Sequence, residues 1–168
     1  MFKKEFDNIN FLVGGKIERI CTTPYDLEVC KFLESLSKEL EKKIYNKYTD
    51  LKSLSFWCRK KNLEKLKSSF ISEKLKKGKG LIFHITPSNV PTNFVYSLIF
   101  GLLTGNSNVI KVPSKKFDQV RIICKLINKI LKIKKFKKVK KLINILRYEK
   151  ENDEFTKFLS SICDVRII

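Results

Sequence analysis

The sequence predicts an α/β fold, with N-terminal helices followed by an incomplete, doubly wound parallel sheet. Three observations predict it. Up to about residue 77 apolar side chains recur at helical spacing. After Gly78 and Gly80 they collect into short runs that alternate with further helical stretches. Proline, glycine or asparagine closes most of those runs. The chain has 168 residues, 43% of them hydrophobic, which suffices for a packed core. It divides into a helical segment, 1–77, and a sheet-forming segment, 78–168.

The first helix is expected to start at Thr23-Pro24-Tyr25-Asp26, with Thr23 as N-cap, Pro24 at the first helical position and a carboxylate three residues after the cap. Val29, Leu33, Leu36, Leu40 and Ile44 then share a face, with Glu34–Lys38 and Glu39–Lys43 pairs on the wet side. Asp50 caps a second predicted helix carrying Leu54, Trp57, Leu66 and Phe70, which ends near Lys76-Lys77-Gly78. Only extended chain is expected before Thr23.

Leu81–Ile85 reads as a strand buried on both faces, and Thr86–Pro91 as a turn between two prolines. Asn93–Thr104 is a helix closed by Gly105-Asn106, and Asn108–Val112 a second strand stopped by Pro113. Lys116 to about Ile133 is helical, Leu142–Tyr148 a third strand, Asp153–Ser161 a short helix and Val165–Ile168 the start of a fourth strand. Strands alternating with helices make right-handed parallel crossovers. The series stops in mid-strand, so the expectation is an N-terminal piece of a longer fold.

Charge and cysteine usage narrow the function classes. Lys plus Arg number 36 against 17 acidic residues, a net charge of +19. Only five of the basic residues are arginine, and alanine is absent. Lysine is a poor bidentate reader of bases, and this composition matches AT-rich coding, so nucleic-acid binding is not read from charge alone. Five cysteines without CxxC spacing argue against a zinc ribbon, a redox pair or a secreted disulfide scaffold. With no apolar N-terminal signal and no span of about 20 apolar residues, the expected location is the cytoplasm. Lys132–Lys141 holds seven lysines with Ile133, Phe136 and Val139 three apart; it reads as a solvated helix end, or as a contact for an anionic membrane surface or for cofactor phosphates.

In a parallel sheet, ligands bind beyond the carboxyl ends of the strands, which directs attention to Thr86–Pro91 and to Lys111–Lys116. Asn89, held between Pro87 and Pro91, could donate to a developing oxyanion or simply cap the next helix. The second strand ends in Lys111, Ser114 and Lys115 where an acidic residue usually meets the ribose diol, a change that favours a 2′-phosphate. No GxGxxG is present. His84, within the first apolar run, reads as a satisfied structural histidine.

Four ordered blocks carry a resemblance: Phe56–Leu63 (FWCRKKNL), Gly80–Pro91 (GLIFHITPSNVP), Leu102–Lys115 (LLTGNSNVIKVPSK) and Cys163–Ile168 (CDVRII). Together they strongly resemble LuxC-type acyl-CoA reductases of the aldehyde dehydrogenase superfamily, over about Pro24 to Ile168. The resemblance implies that the sheet is a truncated NADP-binding Rossmann-like half of the aldehyde dehydrogenase type. Asn89 would be the oxyanion stabiliser, with Thr86, Pro87 and Ser88 lining the nicotinamide-side ribose and Lys111 and Ser114 holding the adenosine ribose. Val112 is inserted in that last motif, and Lys115 stands where many NAD-dependent relatives carry Glu, in agreement with NADPH as cofactor.

The implied reaction is reduction of acyl-CoA to aldehyde through a cysteine thioester. The family's nucleophilic Cys belongs to a catalytic domain absent from this sequence, and none of the five cysteines matches it. The chain alone is therefore expected to be inactive, with a C-terminal partner polypeptide as one route to a complete, oligomeric enzyme. No metal ligand set is read. The alternative is a lysine-rich, non-enzymatic module for nucleic acid or an anionic membrane surface.

Overall fold

The computed structural model describes residues 9–70, 76–87, 89–149 and 151–168. Its sheet has five strands: β1 (Asn10–Val13), β2 (Leu81–Ile85), β3 (Ser107–Lys111), β4 (Ile143–Arg147) and β5 (Val165–Ile167), in the spatial order β1-β4-β3-β2-β5. β2 to β5 are mutually parallel, and β1 runs antiparallel along β4. From β2 the chain builds outward to β3 and β4, then returns to place β5 on the other side of β2. That reversal is the doubly wound topology, and its switch point lies between β2 and β5.

The connecting helices are α4 (Asn93–Leu103), α5 (Asp118–Leu131), the short α6 (Lys137–Lys141) and α7 (Asp153–Ile162). One sheet face, with Ile110, Ile143 and Ile145, packs on α4, α5 and the N-terminal helices α1 (Leu27–Leu40), α2 (Thr49–Trp57) and α3 (Lys60–Phe70). Phe32, Leu36 and Leu54 from those helices enter the same core as Val95, Ile123 and Ile127. The opposite face, with Leu81, Phe83, Val109 and Leu146, meets Phe155 and Leu159 of α7. β2, β3 and β4 are covered on both sides, which is why each reads as a continuous apolar run.

Several local expectations need correction. The first helix starts at Leu27, not near Thr23: its N-cap is Asp26, whose carboxylate accepts from the backbone N–H groups of Glu28 (3.0 Å) and Val29 (3.4 Å). Tyr25 sits at φ +54° and its N–H donates to the Leu103 carbonyl at 2.8 Å, a conformation that no helical residue adopts. The cap therefore moves three residues on. Asp26→Ala should lower stability by about 1–2 kcal/mol in a urea titration, whereas Thr23→Ala should change it by less than about 0.5. Equal losses from the two would contradict this assignment.

The second expected helix is two. The break falls at Cys58-Arg59, where the Asn62 amide donates to the Trp57 carbonyl at 2.9 Å and occupies an acceptor that a continuous helix would use. Asp50 lies inside the first turn of α2 rather than at its cap, which is Tyr48. α3 ends at Phe70, residues 71–75 lie outside the described residues, and Lys76, Lys77 and Gly78 of the expected end are not helical. Ile44 is exposed and off the α1 face, and Glu39 pairs with Lys42 and Lys129 rather than Lys43; the Glu34–Lys38 pair forms at 2.7 Å.

β1 is the strand that the extended-chain reading missed. Its edge is held by buried Asn144, whose side chain accepts from the Gly15 N–H and donates to the Lys16 carbonyl. Within the lysine-rich stretch, Phe136 and Val139 are fully buried in the core while Ile133 and the lysines are exposed, so two of the three apolar residues are spent on packing. No helix among the described residues is long and apolar enough to cross a membrane.

Candidate functional site

The chain leaves β2 at the switch point through the turn 86–91. Thr86 fastens the start of that turn to the neighbouring strand: its hydroxyl donates to the Lys111 carbonyl at 2.9 Å, and its N–H approaches the same oxygen at 3.4 Å. Pro87, Asn89 and Val90 are exposed, and Ser88 lies outside the described residues. α4 begins without using Asn89. Its N-cap is Thr92, with no side-chain cap bond, and the Asn93 N–H donates instead to the Val90 carbonyl at 3.3 Å. Among the described residues the Asn89 side chain makes no hydrogen bond, so its amide is free to meet an oxygen presented from outside.

Lys111 ends β3 beside this turn. Its ammonium lies 4.1 Å from the centroid of the Tyr148 ring, just past β4, and the Tyr148 hydroxyl is 2.8 Å from that of Thr156 in α7. Burial pushes the Tyr148 phenol up, with Arg166 of β5 acting weakly the other way. Register places Lys111 and Arg166 on the α7 face, since Ile85 opposes Lys111 and Phe83 opposes Arg166. Ser114 and Lys115 follow in an exposed loop, with the Lys115 ammonium 5.2 Å from the Phe117 ring. The structure thus joins Thr86 to Lys111 directly and sets Ser114 and Lys115 on the loop beyond. Tyr148 and Arg166 were not singled out in the sequence, although each lies at or just past the carboxyl end of a parallel strand.

Behind the turn, His84 is fully buried between two polar partners. Asn108 directs its amide nitrogen to the carbonyls of Asn106 (2.8 Å) and Leu142 (3.4 Å), so its oxygen faces His84 and accepts from Nε2 at 3.0 Å. Nδ1 is then the acceptor for the Ser97 hydroxyl at 2.6 Å. Burial pulls the imidazole down to about 4. The histidine is neutral and fully engaged, as a structural histidine should be.

The cysteines are poor nucleophiles in this setting. Burial pushes the thiols of Cys58 and Cys124 up to about 12 and raises that of Cys30. The Cys163 thiol points at the Ser160 carbonyl, 3.4 Å away. All five are free, and the ring nitrogens of His84 are already taken.

A concavity also lies away from the turn. An open cleft of about 760 Å³ lies on the α5 side of the sheet, lined by Phe117, Lys125 and Arg147 among others.

No curated protein and no solved structure matches this chain. A family model described as acyl-CoA reductase (LuxC) matches residues 2–168. With that match spanning all but the first residue, the chain belongs to the LuxC acyl-CoA reductase family.

Proposed function

We propose that this chain is the NADPH-binding, oxyanion-stabilising part of a fatty acyl-CoA reductase. The observation that carries the reading is the placement of turn 86–91 at the switch point with Lys111 fastened beside it through Thr86. The donor set fits the cofactor: Lys111, Ser114 and Lys115 at the end of β3, with no carboxylate among residues 105–117, suit the additional phosphate of NADP rather than a bare ribose diol. Thr86, Pro87 and Ser88 would line the nicotinamide-side ribose. When bound, the cofactor supplies hydride to an acyl group held as a thioester.

Asn89 has one role here. Its uncommitted amide donates to the oxygen that becomes negative as the acyl carbon turns tetrahedral, an interaction worth about 3 kcal/mol at comparable sites. The acyl-accepting thiolate is not one of the five cysteines in this sequence, each of which lacks an activating base. We infer that these 168 residues by themselves do not turn over acyl-CoA, the acyl-accepting thiolate being supplied from outside them.

Titration of the purified chain with NADPH and NADH, followed by cofactor fluorescence, tests the reading. NADPH should bind at least about 10-fold more tightly. Lys115→Glu should abolish that preference, and Lys111→Ala should weaken NADPH binding by a similar factor. Equal affinity for both cofactors in the parent chain, or a preference untouched by Lys115→Glu, would overturn it.

A further inference from the structure

We infer that the cleft between α5 and the β1–β4 edge binds a phosphorylated nucleotide, at a site separate from the one at the turn. The cleft, at about 760 Å³, has room for such a ligand. Lys116, Arg121, Lys125 and Arg147 line it, against a single carboxylate, Asp118. That carboxylate is already committed: it pairs with Arg121 at 2.9 Å and accepts from the Tyr48 hydroxyl at 3.3 Å. Among the described residues no carboxylate pairs with Lys116, Lys125 or Arg147.

Lysine is the default surface residue of this chain, so Lys116 and Lys125 alone decide little. Arginine is more telling, because the sequence has five and two converge here. Arg147, half-buried at the end of β4, donates from Nε to the Pro113 carbonyl at 2.9 Å. That bond orients the guanidinium, whose charge no carboxylate among the described residues pairs. A partly desolvated cation of this kind is stabilised by a phosphoryl group that accepts from its planar fork. The rings of Tyr48 and Phe117, also in the lining, offer apolar faces to a base. The cleft opens opposite the Lys111–Tyr148 contact, on the other side of the sheet.

The same surface argues against a polymeric ligand. The basic stripe runs on through Lys129 and Lys132 into an adjoining cleft, but Glu39 holds both Lys129 (2.9 Å) and Lys42 (2.7 Å) there. A carboxylate thus sits among the lysines of the adjoining cleft and interrupts the continuous track that a nucleic-acid backbone needs.

The test is a calorimetric titration with ADP, first alone and then with NADPH at saturation, using adenosine as the uncharged control. One ADP should bind in the presence of NADPH, and adenosine should not. Arg147→Gln and Lys125→Glu should each weaken that event at least tenfold; Lys125 is exposed, so its variant keeps the fold. Complete displacement of ADP by NADPH, wild-type affinity in both cleft variants, or stoichiometric displacement by oligo-dT would overturn the proposal. Should NADPH fail to bind, the ADP titration alone still reads the cleft, so the two proposals fail separately.

Discussion

Between pH 6.5 and pH 4 the folded chain should lose about 3 kcal/mol of stability through one residue, His84. In the unfolded chain its imidazole titrates near 6.5, and in the fold burial pulls it down to about 4. The unfolded state therefore takes up the proton first. The stabilisation is complete above 6.5, declines as the pH falls through the interval, and is gone below about 4. At pH 5 the loss should already reach about 2 kcal/mol. Carboxylates do not confuse that upper window. Glu34 and Glu39 are held below the ordinary carboxylate range chiefly by hydrogen bonds from Lys38 and Lys42, so their contribution disappears only at lower pH. Urea titrations at pH 7, 6 and 5 measure the slope, and His84→Gln supplies the comparison. The variant should start lower but stay flat across the window; an identical slope in both proteins would assign the acid sensitivity elsewhere.

The partners that make His84 behave this way show where sequence reasoning stops. The β2 run announces a buried strand, and a single histidine inside it announces a polar group in need of satisfaction. Ser97 and Asn108 lie 13 and 24 residues away, and only the packing of α4 across β2 and β3 reveals them. β2 was legible to the residue, and β3, β4 and α7 to within about one residue at each end, because burial on both faces, or an amphipathic repeat, is written into consecutive residues. β1 was not legible: four residues, NFLV, become a strand only because β4 offers an edge and Asn144 holds the chain that follows. The Asp26 cap was hidden by a better local pattern at Thr23, which a tertiary bond at Tyr25 overrides. For the candidate site, chain order alone placed turn 86–91 and Lys111 at the same end of the sheet. The Thr86 bond to Lys111 and the free amide of Asn89 required coordinates, since both depend on how the turn closes.

Gly101→Ala should be among the most damaging small substitutions in the chain, although alanine is ordinarily the better helix residue by about 1 kcal/mol. Gly101 lies in α4, fully covered, and a Cβ there would collide with the Asn108 side-chain oxygen. That amide cannot step aside cheaply. It is held by two backbone carbonyls on its nitrogen and by His84 on its oxygen. Overpacking of about 1–3 kcal/mol therefore adds to buried hydrogen bonds worth about 1–3 kcal/mol when left unmade, and the propensity gain offsets only part. A net loss of about 3 kcal/mol is expected in urea titration. The mechanism makes a sharper claim than the single variant does. Asn108→Ala should also destabilise, by stranding His84 Nε2, yet it removes the atom that the new methyl strikes. The double variant Gly101→Ala/Asn108→Ala should consequently be more stable than the sum of the two losses by about 1–3 kcal/mol, the coupling expected of residues in contact. Strict additivity would mean that α4 shifts to admit the methyl, and that the His84 network does not hold the helix against the sheet. Because α4 starts directly after turn 86–91, such a shift would also be read in NADPH affinity: the two should fall together in Gly101→Ala, and the double variant should recover both.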